Sequence, residues 1–72
     1  MAYTKLRLLR KAKGLTQLQL AAMTGIHIPE IYKLERGLLR PYPVWKERIA
    51  AAFDYPLDKV DELFEIVENS DE

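Results

Sequence analysis

The 72-residue sequence contains no cysteine, which excludes disulfides and thiolate metal sites and removes any tie to an oxidising compartment. It has no run of roughly 20 apolar residues, the length needed to span a bilayer. Its opening, Met1 to Arg10, interrupts the leucines with Lys5, Arg7 and Arg10. Neither export nor membrane insertion is therefore expected, and a cytoplasmic location is the default. No stretch alternates apolar and polar residues for long enough to build a sheet, so the expected class is all-α. His27 is the only histidine, and without a second histidine or a cysteine it has no partner with which to hold a metal. No nucleophile and base pair, phosphate loop or carboxylate pair appears either. The reading is accordingly no enzyme, no catalytic residue, no metal and no cofactor.

An excess of charge of either sign is also missing, since 11 Lys and Arg balance 11 Asp and Glu. Taken alone, that argues against a polyanionic partner. The charges are nevertheless segregated. Residues 1 to 48 hold ten Lys or Arg (Lys5, Arg7, Arg10, Lys11, Lys13, Lys33, Arg36, Arg40, Lys46, Arg48) against Glu30, Glu35 and Glu47, giving +7. Residues 49 to 72 hold eight acids and only Lys59, giving −7. Such asymmetry suggests a basic surface for an anionic partner and an acidic end available to a protein partner.

Punctuation marks out five helical segments. Lys5 to Lys13 places Leu6, Leu9 and Ala12 on one side, and Gly14 suits the left-handed residue that ends many helices. Thr16-Gln-Leu-Gln19 fits a capping box, so a second helix starts near Gln17 and stops at Thr24 and Gly25. Pro29 in a first turn and Gly37 after a last one bound a third helix, from about Ile28 to Arg36. Pro41 and Pro43 bracket a loop before a fourth helix containing Val44, Trp45, Ile49 and Phe53. Pro56 and Asp58 open the fifth. Its stripe of Leu57, Val60, Leu63, Phe64, Ile66 and Val67 is wider than one core needs, which predicts a twofold homodimer. The organisation expected is one domain over residues 1–67 and a short acidic C-terminal tail over 68–72.

The second and third segments are short and joined by a few residues, so they must cross steeply. Ala21 supplies the small side chain at the crossing, and Gly25 the positive φ in the turn. Ile26, Ile31 and Leu34 then form a core face, with Leu18 and Leu20 or Met23 available opposite. His27, Ile28, Pro29, Tyr32, Lys33 and Arg36 lie on the other side. A helix exposing its N-terminal turn in this way can enter the major groove of DNA while its companion crosses the backbone.

These residues carry a family likeness. T-Q-L-Q-L-A-A-M-T-G-I-H-I-P-E-I-Y-K-L-E-R-G, residues 16 to 37, resembles the helix-turn-helix of the phage repressor and Cro family, also called the XRE family. The likeness extends from Leu6 to about Phe64, because L-R-L-L-R-K-A-K-G-L-T-Q is similar to the family's opening and A-A-A-F-D-Y-P-L-D-K-V to its close. It rests on Thr16-Gln17, Ala21, Gly25, Ile31, Glu35 and Gly37 in combination. It implies a five-helix lambda-repressor-like fold and a transcription regulator that binds double-stranded DNA, with a palindromic operator gripped by a dimer. It also implies that Arg10 pairs with Glu35 and that Gln17, Arg36 and Arg40 meet backbone phosphates, the first at a helix start where orphan N–H groups suit an anion. The chain departs from the family pattern at His27, Ile28 and Pro29, where a small hydroxyl residue usually precedes two polar base-reading residues. Hydrogen-bond readout by Ile28 and Pro29 is thus not implied. Asp54 also replaces a customary glycine, which bears on the shape of the turn that follows.

A competing reading keeps the fold but not the DNA: a helical protein-interaction module, of antitoxin or antirepressor type, with Ile28, Pro29, Leu38 and Leu39 as an apolar patch. Gln17, Lys33, Arg36 and Arg40 argue against it.

Overall fold

A computed structural model describes residues 2–68, the side chain of Glu68 excepted. Among these residues the order is β1 (Ala2–Thr4), α1 (Lys5–Ala12), α2 (Gln17–Thr24), α3 (Ile28–Glu35), α4 (Pro43–Phe53), a 3-10 helix (Leu57–Phe64) and β2 (Ile66–Glu68). Five helical elements pack around Leu6, Leu20, Ile26, Ile31, Leu34, Ile49, Val60 and Leu63, which is the all-α architecture that the sequence implies. The acidic tail assigned to 68–72 lies outside the described residues apart from the backbone of Glu68.

The helix boundaries follow from local chemistry. At the start of α2 the Gln19 N–H donates to Thr16 Oγ1 (3.0 Å), and the Thr16 N–H donates to Gln19 Oε1 (2.8 Å). Two orphan donors are thereby satisfied reciprocally. Gly25 closes α2 at φ +73°, its N–H donating to the Ala21 carbonyl at 2.8 Å. Thr24 stitches the turn from beneath: its hydroxyl donates to the Leu20 carbonyl (2.8 Å) and accepts from the Ile26 N–H (3.2 Å). At the end of α4, Asp54 adopts φ 52° and ψ 44°. The left-handed corner that glycine would make is therefore kept, because Asp is among the residues that tolerate this region.

Three expectations are corrected. A sheet does form, a two-stranded antiparallel ribbon in which Tyr3 pairs with Val67 and Thr4 with Ile66. Strands of three residues are too short to show alternation, and their partners lie some sixty positions apart. Next, the wide apolar stripe of the fifth segment is divided. Leu57, Val60 and Leu63 recur every third residue, matching the three-residue turn of a 3-10 helix, while Ile66 and Val67 leave the helix and enter β2. Only Val60 and Leu63 of that stripe are fully in the core. Lastly, of the three residues offered opposite the third helix, Leu20 alone is buried, since Leu18 is 66% and Met23 51% exposed.

The ribbon closes over the end of α3. Thr4 stands at the start of α1, yet its buried hydroxyl donates to the Leu34 carbonyl at 3.1 Å, with the Glu35 carbonyl at 3.4 Å. It satisfies carbonyls at the C-terminus of α3 in place of donors in its own helix. The Lys5 N–H donates to the Glu65 carbonyl (3.1 Å), and Lys5 Nζ reaches Glu65 Oε1 (2.9 Å). That carboxylate raises the Lys5 pKa above its ordinary value, first through the hydrogen bond and then through its charge. Lys46 and Asp61 form a second exposed bridge, at 2.7 Å, between α4 and the 3-10 helix. These bridges join the acidic half to Lys5 and Lys46 of the basic half, each pair contributing little by itself.

Gly37 lies under this ribbon at φ +71°, where an added Cβ would meet Ile66 Cδ1. Gly37→Ala is expected to lower stability by about 1–2 kcal/mol, the cost of a left-handed L-residue. The Ile66 side-chain end can swing aside, so Ile66→Ala in the same background should recover little of the loss. Urea unfolding of the single and double variants checks this, and substantial recovery would place the cost in the contact instead of the backbone.

Candidate nucleic-acid interface

Eight residues of α3 carry two different faces. Ile31, Leu34 and Glu35 point into the protein and are buried, whereas Ile28, Pro29, Tyr32 and Lys33 are exposed and Arg36 is half-exposed. Pro29 falls in the first turn, where the missing N–H would have had no helical partner. His27 precedes the helix in extended conformation, and its side chain makes no capping bond; Nδ1 stands 3.7 Å from Glu30 Oε1.

One buried network holds α3 in place. Arg10 of α1 grips Glu35 bidentately, Nε to Oε2 at 2.6 Å and Nη2 to Oε1 at 3.0 Å. Glu35 is 1% exposed and Arg10 8%, so the pair is strongly desolvated and depends on complete hydrogen bonding. The remaining bonds supply it: Arg10 Nη1 donates to the Leu15 carbonyl (2.7 Å) and Gln17 Nε2 to Glu35 Oε1 (3.2 Å). Among the described residues no buried side-chain polar atom lacks a partner. Helices α1 and α3 and the start of α2 are pinned at one point.

The residues singled out from the sequence fall into three places. Gln17, Tyr32 and Arg36 come together with Arg7, Arg10 and Glu35 around a cleft of about 220 Å³. His27, Ile28 and Pro29 line a shallow apolar groove shared with Leu18, Ala21 and Ala22 of α2. Lys33 and Arg40 border neither, Lys33 standing exposed on α3 and Arg40 exposed in the loop before α4. Arg36 lies over the Tyr32 ring at 5.8 Å, with Nη1 3.5 Å from the hydroxyl. Arg7 was not singled out, although it sits three residues before Arg10 and so one turn along the same face of α1. The Gln17 bond to Glu35 was equally invisible, since it joins residues 18 positions apart.

The rival apolar patch is incomplete. Leu38 is 70% exposed, but Leu39 is half-buried against the core. Among the described residues there is no cluster of three or more His, Asp or Glu side chains that could hold a metal, and no helix is long and apolar enough to cross a membrane.

Comparison with known proteins agrees with this geometry. No match was found among curated proteins. A family model described as helix-turn-helix matches residues 6–42, just over half of the chain and the segment from α1 through α3 to the loop carrying Arg40. The chain belongs to the helix-turn-helix family of the XRE type, and is a DNA-binding transcriptional regulator in the general sense of that family.

Proposed function

We propose that the protein binds a palindromic operator in double-stranded DNA as a homodimer and acts as a repressor-like regulator. Gln17, Tyr32, Arg36 and Arg40 grip the backbone, and His27, Ile28, Pro29 and Lys33 face the bases. The observation that carries the reading is the division of α3 into an inner face fixed by Arg10, Glu35 and Gln17 and an outer face with no acid beyond Glu30. A recognition helix must be rigid to discriminate between bases, and the buried network supports that rigidity. Ile28 has no hydrogen-bonding group, so its methyl groups pack on a thymine methyl. Lys33, one turn further on, donates to guanine acceptors. A pair of such helices about 34 Å apart reads two half-sites, which a single short helix cannot.

Selection of sites from a random duplex pool, followed by titration on variants, tests this. Lys33→Ala is expected to cost about 1–3 kcal/mol at its preferred base and to relax specificity there, while Arg40→Ala weakens all sequences alike. Equal losses on every sequence would reduce α3 to an electrostatic grip. Sedimentation showing a monomer both free and on DNA would remove the dimer. The exposed Leu38 favours the interaction-module reading, for which selection would return no preferred sequence at all.

A further inference from the structure

The apolar groove between α2 and the start of α3, about 620 Å³ in volume, has a floor of Ile26 and Ala21, which belong to the core or pack against it. Its walls are Leu18 and Ala22 of α2 on one side and Ile28 and Pro29 of α3 on the other. Both Leu18 and Ile28 are exposed. Single exposed leucines are ordinary, but these four apolar side chains face one another across a common space. Among the described residues no acid lines the groove, and His27 alone contributes a side chain that can hydrogen-bond. Arg48 of α4 borders the Gly25 end, its Nη1 3.4 Å from the place where a Cβ on Gly25 would lie.

What covers this groove follows from continuity. His27, Ile28 and Pro29 belong both to the groove and to the end of α3 that enters the major groove in a helix-turn-helix. A base step that meets Ile28 is therefore bordered by Leu18. The apolar group that base edges present in the major groove is the 5-methyl of thymine, and 5-methylcytosine carries the same group at the same ring position. With no acid to repel phosphates and Arg48 at one end, the groove admits a polyanion.

We propose that this groove reads 5-methylpyrimidines, with Leu18 taking the methyl of the pyrimidine next to the one that Ile28 meets. Leu18 thereby becomes a specificity-determining residue, and α2 takes part in base choice beside α3. The inference rests on the DNA-binding reading and goes beyond it in assigning a reading residue outside the recognition helix.

The probe is a duplex selected by the full chain from a random pool and resynthesised with each thymine replaced in turn by uracil, which lacks only the 5-methyl group. Wild type should lose about fourfold in affinity at each of two neighbouring positions, the equivalent of one CH₂ group left unburied. Leu18→Ala should bind the parent duplex more weakly and lose nothing further with uracil at one of these positions. Ile28→Ala should lose nothing further at the other. Leu18 is 66% exposed, so its truncation leaves the fold intact. Met23→Ala is the control, since Met23 is an exposed apolar residue of the same helix outside the groove, and it should match wild type at every position. A second series places cytosine or 5-methylcytosine opposite guanine at the same two positions.

Recovery of about fourfold by 5-methylcytosine over cytosine supports a groove that reads the methyl on either base. No recovery, with the uracil losses and their dependence on Leu18 intact, supports the groove with thymine as the source. A uracil loss undiminished in Leu18→Ala overturns the proposal and returns the methyl to α3. Uracil without effect on wild type also overturns it while leaving DNA binding intact, and the groove is then a face for a protein. If the selection returns no preferred sequence, the reading of bases has failed as a whole, and the proposal falls with it.

Discussion

Glu35→Ala is expected to cost about 3–5 kcal/mol of folding stability, because it strands a buried arginine without its counter-charge. The whole stability of a natural domain is about 5–15 kcal/mol, and a chain this small buries only about 60% of the surface that its unfolded form exposes. The variant should therefore be partly unfolded at room temperature, with a strongly lowered urea midpoint. Glu35→Gln retains a carbonyl oxygen that can accept from Arg10 and should lose less. The decisive comparison is the double variant Arg10→Met with Glu35→Leu. Replacing a buried pair by apolar residues of similar volume is often neutral or stabilising, so most of the stability should return. DNA affinity should not return with it, since Gln17 then has no carboxylate to hold its amide. A double variant that recovers both stability and full affinity would show that the network serves the fold alone.

The features that could be read from the sequence are those decided within a few residues. Thr16 and Gln19 specify the start of α2 because both bonds of the capping box are made inside one turn. Gly25 and Gly37 stand where the backbone needs positive φ, at +73° and +71°, and Pro29 and Pro43 stand in first turns. What could not be read depends on contrast or on distance. Five of the eight residues of α2 are Leu, Ala or Met, so its periodicity does not identify the inner side, and Leu18 and Met23 turn out to face solvent. The terminal ribbon depends on meetings between Tyr3, Thr4, Gly37, Ile66 and Val67, which no local pattern records.

The candidate site divides in the same manner. That Arg10 should meet Glu35 came from the family likeness and not from spacing, since 25 positions separate them. Arg7 and the second role of Gln17 emerge only once α1 and α3 are set side by side. Residues of one helix face can be listed from a sequence, but a cleft needs three elements, and their mutual placement is a property of the core beneath them.

Salt dependence should show the largest effect of all, and it tests the charge segregation directly. A formally neutral chain with randomly distributed charges would bind DNA weakly and with little response to salt. Here Lys33, Arg36 and Arg40 are gathered on α3 and the loop that follows, while Lys5 and Lys46 are bridged to Glu65 and Asp61. If Arg36 and Arg40 each meet one phosphate while Lys33 faces the bases, the logarithmic slope is about −1.8 for one protomer and about −3.6 for a pair, at roughly −0.9 per neutralised phosphate. Raising monovalent salt from about 50 to 200 mM should then lower affinity about 12-fold for one protomer and about 150-fold for two. The measurement therefore counts protomers as well as contacts. A slope near −3.6 that halves in a variant confined to the monomeric state would establish the paired grip, and a slope near −1.8 at every protein concentration would mean that one copy binds alone. A slope close to zero would mean that the basic half is a solvated surface, and the assignment of Arg36 and Arg40 to phosphates would fail with it.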